Sequence, residues 1–207
     1  MGTRRSSIVT LASGAAILAA GVAALAVHSV GQTADTASPD VAVVWGNAIP
    51  RRLFTKGISI RIASIKAQGG QAPKPGSADY RRLQDDTIRQ MVSDVTVVSE
   101  ARRLGLVSIH RPVVSYVVRN PATVQRIWNE VYDFAARTVP DPDDPKVVGA
   151  TQFDEHELPE LLTPHQLKVY NDWQSRRDRV ASAFFGDLFA RYGAHTSYAP
   201  GFRPPPA

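Results

Sequence analysis

Leu83-Gln-Asp-Asp-Thr-Ile-Arg-Gln-Met-Val-Ser-Asp-Val-Thr-Val-Val-Ser-Glu-Ala-Arg-Arg-Leu-Gly-Leu-Val-Ser108 is the stretch on which the fold class turns. Leu83, Ile88, Met91, Val92, Val95 and Val98 fall along one stripe of a helix. Ala101 and Leu104 extend the stripe, and Gly105 stops it, as glycine does just past a helix end. A helix is therefore predicted over Ala78–Leu104, with one apolar side that other elements must cover.

Upstream, Pro50–Lys66 places Phe54, Ile58, Ile62 and Ile65 on one face and starts with proline in its first turn. Gly57 weakens that helix, and the alternation Ile58, Ile60, Ile62 would also suit a strand. A Gly/Pro/Lys loop, Gln68–Gly76, separates it from the long helix. Before it, Val41–Asn47 is a β-branched run closed by a turn pair, which predicts a short strand or extended arm. Downstream, Ser108 is expected to cap a short third helix with Pro112 in its first turn and Val113, Val114, Val117 and Val118 as apolar content. Asn120-Pro121 opens a fourth helix to about Thr138, carrying Val124, Ile127, Trp128, Val131 and Phe134. Thr163-Pro164 opens a fifth in the same way, with Leu167, Tyr170, Val180, Phe184, Leu188 and Tyr192 before Gly193. No internal repeat is visible. The expected class is all-α.

The N-terminus has its own character. Arg4 and Arg5 precede an uncharged stretch, Ser6–Gln32, whose apolar centre Ile8–Val27 is 20 residues long. That length spans a hydrocarbon core as a helix and exceeds a typical signal h-region. The flanking arginines place the N-terminus in the cytoplasm and the remainder outside. A signal anchor is expected, on a bacterial cell membrane, with the domain extracytoplasmic. The alternative is a cleaved signal, using the small-x-small triplet Ala24-Leu25-Ala26, and a secreted or periplasmic product. The predicted organisation is 1–31 anchor or signal, 32–40 Thr/Ala/Ser/Pro-rich linker, 41–193 helical domain with an acidic connection at 140–162, and 194–207 a disordered Pro-rich tail.

Composition narrows the function classes. There is no cysteine, which excludes disulfides, thiolate metal sites, a cysteine nucleophile and a lipobox anchor. Asp141–Glu160 holds seven acids and Lys146; it carries −6, which with a total of +5 leaves +11 elsewhere. A basic body suits nucleic acid or anionic lipid, but the extracytoplasmic address argues against nucleic acid. The histidines (His28, His110, His156, His165, His195) form no i, i+4 pair and no zinc motif. The acids Asp141, Asp143, Asp144, Asp154, Glu155 and Glu157 lack calcium-loop spacing and read as a solvated loop. No phosphate loop or nucleophile elbow is present. No cofactor, metal or catalytic residue is expected.

Two stretches carry a family resemblance. Val41-Ala-Val-Val-Trp-Gly-Asn-Ala-Ile-Pro-Arg-Arg-Leu-Phe54 resembles the opening of the SurA/PrsA-type parvulin foldases, where a valine-rich strand and turn lead into the first chaperone helix. Val97-Val-Ser-Glu-Ala-Arg-Arg-Leu-Gly-Leu-Val-Ser108 resembles the end of their long second helix. The segments Trp173-Gln-Ser-Arg-Arg and Phe184–Tyr192 are similar to the helix that rejoins this domain after the isomerase. Together the resemblance covers Val41–Asn120 and Thr163–Tyr192. Three departures stand out: Trp45-Gly46-Asn47 replaces the usual Asn-Gly order, Ile109-His110-Arg111-Pro112 replaces acidic helix-starting residues, and the isomerase module is missing. Only 24 residues, Val139–Leu162, connect the fourth and fifth helices. The resemblance implies the small helical SurA N-terminal chaperone domain with a short extended arm, and without the enzyme.

The implied partner is unfolded or exported polypeptide, bound without catalysis. Phe54, Ile58, Trp128, Tyr132, Tyr170 and Trp173 are the candidate peptide-binding residues, as an apolar lining in a cleft between helices; core packing is the competing reading of the aromatics. A scaffold subunit of an envelope or secretion assembly with one dedicated partner is the alternative function. A degenerate foldase ranks third. Oligomeric state is not legible.

Overall fold

The computed structural model describes residues 40–154 and 156–204. The predicted anchor at 1–31, with its apolar stretch Ile8–Val27, lies outside the described residues, as does nearly all of the linker. Among the described residues no helix is long and apolar enough to cross a membrane.

The chain enters through a hairpin rather than a lone arm. Strands β1 (Asp40–Val44) and β2 (Asn47–Pro50) pair antiparallel, with Val44 opposite Asn47 and a bulge between Asp40 and Ala42. The two-residue loop Trp45-Gly46 has φ of +45° and +77°, the double positive φ of a type I′ turn. That turn favours Asn or Gly first, so Trp45 is held against its preference. Its ring lies 5.0 Å from the ring of Tyr192 and 4.4 Å from that of His195.

Seven helices follow: α1 (Arg51–Ala67), α2 (Ala78–Arg103), α3 (Val113–Arg119), α4 (Pro121–Ala136), α5 (Pro145–Gly149), α6 (Leu158–Leu161) and α7 (Pro164–Gly193). Isoleucine alternation did not make α1 a strand: Ile58 is buried and Ile60 exposed, as helical spacing requires. Gly57 marks where α1 crosses α2, because a Cβ there would sit 3.3 Å from Thr87 Cγ2 and 3.5 Å from Met91 Sδ. α2 is the axis of the molecule. It packs against α1, α3, α4, α7 and β1. Its second half is consequently buried on every side, from Val95 through Val98, then at Glu100 and Ala101.

Two caps differ from expectation. α3 begins after Pro112, and the Ser108 hydroxyl instead lies 3.3 Å from His110 Nε2. A residue before proline is pushed out of the helical region, so Pro112 sets the start itself. Asn120 precedes Pro121 at the first position of α4, but its Nδ2 donates back to the Tyr116 carbonyl of α3. α7 starts as predicted, with a capping box in which the Thr163 hydroxyl accepts from the Gln166 N–H and Gln166 Oε1 accepts from the Thr163 N–H. Gln166 Nε2 also donates to Asp144, which caps α5.

The predicted disordered tail requires correction. Thr196–Tyr198 forms β3 and pairs antiparallel with β1, giving the sheet order β2-β1-β3. Beyond it the Phe202 ring meets Phe54 edge-on at 5.5 Å, with the Arg51 guanidinium over the ring at 4.8 Å from its centroid. Proline and glycine content at Pro200–Pro204 masked the anchoring aromatic Phe202. The fold is mainly helical, with a small sheet joining both ends of the described chain.

Candidate peptide-binding cleft

An open cleft of about 590 Å³ lies where three elements meet. α2 contributes Val92, Ser93 and Thr96; the end of α7 contributes Phe189 and Gly193; β3 contributes Thr196, Ser197 and Tyr198, with Arg203 at the rim. Burial pushes the Tyr198 phenol above its ordinary range, while Arg203 and Arg89 pull it down. Among the described residues, Arg203 is the one charged group lining this cleft.

Phe189 continues the cleft into an aromatic band between α4 and α7. Its ring stacks with Phe185 at 6.1 Å, and Phe185 stacks with Trp128 at 5.4 Å. All three side chains are partly buried against the core. The indole is fixed by polar bonding: Trp128 Nε1 donates to Asp94 Oδ1 at 2.9 Å, and Gln90 Nε2 donates to the same oxygen at 2.9 Å. Burial raises the Asp94 carboxyl above its usual range, against the downward pull of the Trp128 and Gln90 hydrogen bonds and of Arg61.

The six candidate residues do not converge on one surface. Phe54 and Ile58 are buried in the core under the sheet and present nothing to a ligand. Trp173 is 1% exposed, with Arg177 over its ring at 5.0 Å and Tyr170 edge-on at 6.2 Å. Tyr170 packs on the small cluster of Ala150, Leu158 and Leu162 under the connection. Tyr132 donates to Asp178 at 2.6 Å, and burial, reinforced by that carboxylate, pushes its phenol up to about 12. Only Trp128 adjoins the cleft. Apolar spacing marks a side chain as inward-facing, and for Phe54, Ile58 and Trp173 inward is core, while Trp128, Tyr132 and Tyr170 stay half-buried.

Below the cleft the two long helices are locked by a buried charge. Glu100 is 0% exposed; Arg103 donates to both its carboxylate oxygens at 2.7 Å, Arg191 donates at 3.2 Å and the Tyr192 hydroxyl at 3.4 Å. The Arg103 hydrogen bonds hold its carboxyl below the ordinary range despite desolvation. No group of three His, Asp or Glu side chains among the described residues is arranged to hold a metal ion. The cleft lining is hydroxyl-rich, from Ser93, Thr96, Thr196, Ser197 and Tyr198, with Val92 and Phe189 as its apolar part.

Residues 4–138 match the profile of the SurA-like N-terminal domain, about two thirds of the chain. The chain belongs to this family. No curated protein and no solved structure gives a significant match. The SurA-like match begins within the N-terminal basic and apolar segment and ends just past α4, so α7 and β3 lie beyond it. Three of the nine lining residues, all on α2, therefore lie within the SurA-like match, and the other six belong to the C-terminal elements. Sequence reasoning missed Phe189, Thr196, Tyr198 and Arg203. The signal that could have found them was Thr196-Ser-Tyr198, a β-forming pair at alternating positions inside a loop-like tail.

Proposed function

We propose that this SurA-like chain is a non-catalytic holdase-like domain, tethered to the membrane by Ile8–Val27, that binds unfolded or exported polypeptides outside the cytoplasm. The observation that carries the reading is the continuous band Trp128–Phe185–Phe189 opening onto the cleft beside β3. Its rings are wide, partly covered and backed by a rigid helix pair, which suits weak binding of many apolar segments. No nucleotide or covalent step is required. The space where the foldases carry an isomerase holds α5, a 3₁₀ turn at Ala150–Gln152 and α6. The protein is therefore expected to leave proline-limited refolding at its uncatalysed rate of tens to hundreds of seconds.

Suppression of aggregation of chemically unfolded substrate proteins tests the reading. Phe185→Ser with Phe189→Ser should abolish most of the suppression while circular dichroism keeps its helical signal. Undiminished suppression by a folded double variant would remove the band from function.

A dedicated scaffold role is the second reading, favoured by Phe153 and Leu161. These are 44% and 47% exposed on the short acidic connection, apolar surface of the kind a single partner uses. Capture of one envelope protein, with no effect on generic substrates, would select it.

A further inference from the structure

Resting on the holdase reading, we propose that the client is held as an added β-strand: an extended, acidic-apolar polypeptide segment pairs with the outer edge of β3, and its carboxylates meet Arg203. The register of β3 supplies the argument. The Trp45 N–H donates to the His195 carbonyl at 3.1 Å, and the Ala199 N–H donates to the Val41 carbonyl at 3.0 Å. Between these bonds Val43 stands opposite Ser197. Hydrogen-bonded positions alternate along an antiparallel strand, so His195, Ser197 and Ala199 face β1. Thr196 and Tyr198 accordingly turn their N–H and C=O groups away from the sheet. β3 is the last strand of the order β2-β1-β3, and among the described residues no backbone group pairs with that outer edge.

Two donors and two acceptors at a two-residue strand repeat match the backbone of another extended chain. The same residues border the cleft, whose apolar Val92 and Phe189 give a seat for a client side chain. The charge preference follows from the lining. Among the described residues Arg203 is the one charged group there, it forms no ion pair, and no carboxylate lines the cleft to repel an acid.

The test uses the full chain in mild detergent and a labelled octapeptide of alternating valine and glutamate. Its controls are a twin N-methylated at every residue and a valine–lysine twin. Fluorescence anisotropy reads affinity, and amide exchange reads Thr196 and Tyr198. N-methylation should weaken binding by about tenfold or more, the effect of losing two or more backbone hydrogen bonds. The parent peptide should slow exchange at Thr196 and Tyr198, and Arg203→Glu should shift preference toward the lysine peptide. Equal binding of the methylated twin, or protection only along α4 and α7, would overturn strand addition and leave the holdase reading standing. Absence of peptide binding with aggregation suppression intact would do the same. A dimer formed through β3, seen by sedimentation, would give the edge to a second copy and defeat the proposal. Loss of both binding and suppression in the folded protein would take the holdase reading down with it.

Discussion

Glu100 and Asp94 sit two turns apart on α2 and titrate in opposite senses. Glu100, clamped by Arg103, Arg191 and Tyr192, has a lowered folded value. Its contribution is therefore fully present above the ordinary Glu range near pH 4.3 and is lost as pH falls through the lower folded value. Glu100→Gln should cost about 1.5–3 kcal/mol at pH 7, the worth of hydrogen bonds to a charged group. Denaturant melts should show that deficit shrinking on the acid side of pH 4. Asp94 has a raised value because burial dominates. The folded state takes its proton first, so this group favours folding below that value and opposes it at neutral pH. Asp94→Asn keeps an acceptor for the Trp128 indole and removes the desolvated charge. It should leave stability at pH 7 unchanged or higher, with the gain closing as pH falls. Trp45 is a third residue-scale case. Its positive φ costs about 1–2 kcal/mol, while its ring gains from Tyr192 and His195 are of similar size. Trp45→Asn is expected to move the melting free energy by less than about 1 kcal/mol.

At the scale of elements, apolar periodicity located the four long helices and the short α3, because each buries a stripe against α2 or α4. Periodicity says that a side chain faces inward; it does not say whether inward is a core or a groove. Phe54, Ile58 and Trp173 fit either reading by their spacing alone, and in the fold neighbouring elements cover them. Trp173→Ala should cost about 3–5 kcal/mol, as large aromatic deletions in cores do. Tyr170→Ala, at the edge of the small cluster, should cost clearly less. A near-neutral Trp173→Ala melt would return that residue to the surface. Gly57 belongs to the same lesson. Propensity alone counts it against α1, yet the missing Cβ is what lets α1 approach Thr87 and Met91. Gly57→Leu should destabilise by about 1–3 kcal/mol through overpacking, measurable by urea denaturation.

Over the whole molecule, the two ends of the described chain share one sheet. β1 is central only because β3 returns from beyond α7 to cover its free edge. Removing 194–207 should expose that edge, uncover Phe54 by loss of Phe202, and cost about 2 kcal/mol or more in buried apolar area. The truncated protein should melt lower and self-associate, which light scattering would detect; an unchanged melt would show that the tail is dispensable.

By itself the sequence determined the helical class, the long α2, the starts of α4 and α7, and the family to which residues 4–138 belong. These are local matters: a repeat near 3.6 residues, a capping residue followed by proline at a first turn, a short run of matching residues. The tertiary structure alone decided that β1 is a hairpin strand, that Thr196–Tyr198 completes the sheet, and that the aromatic band adjoining the cleft is Trp128, Phe185 and Phe189. Each of these depends on groups distant in the chain meeting in space. Val43 and Ser197 can pair only after α7 has turned the chain back on α2, and no local pattern encodes that return.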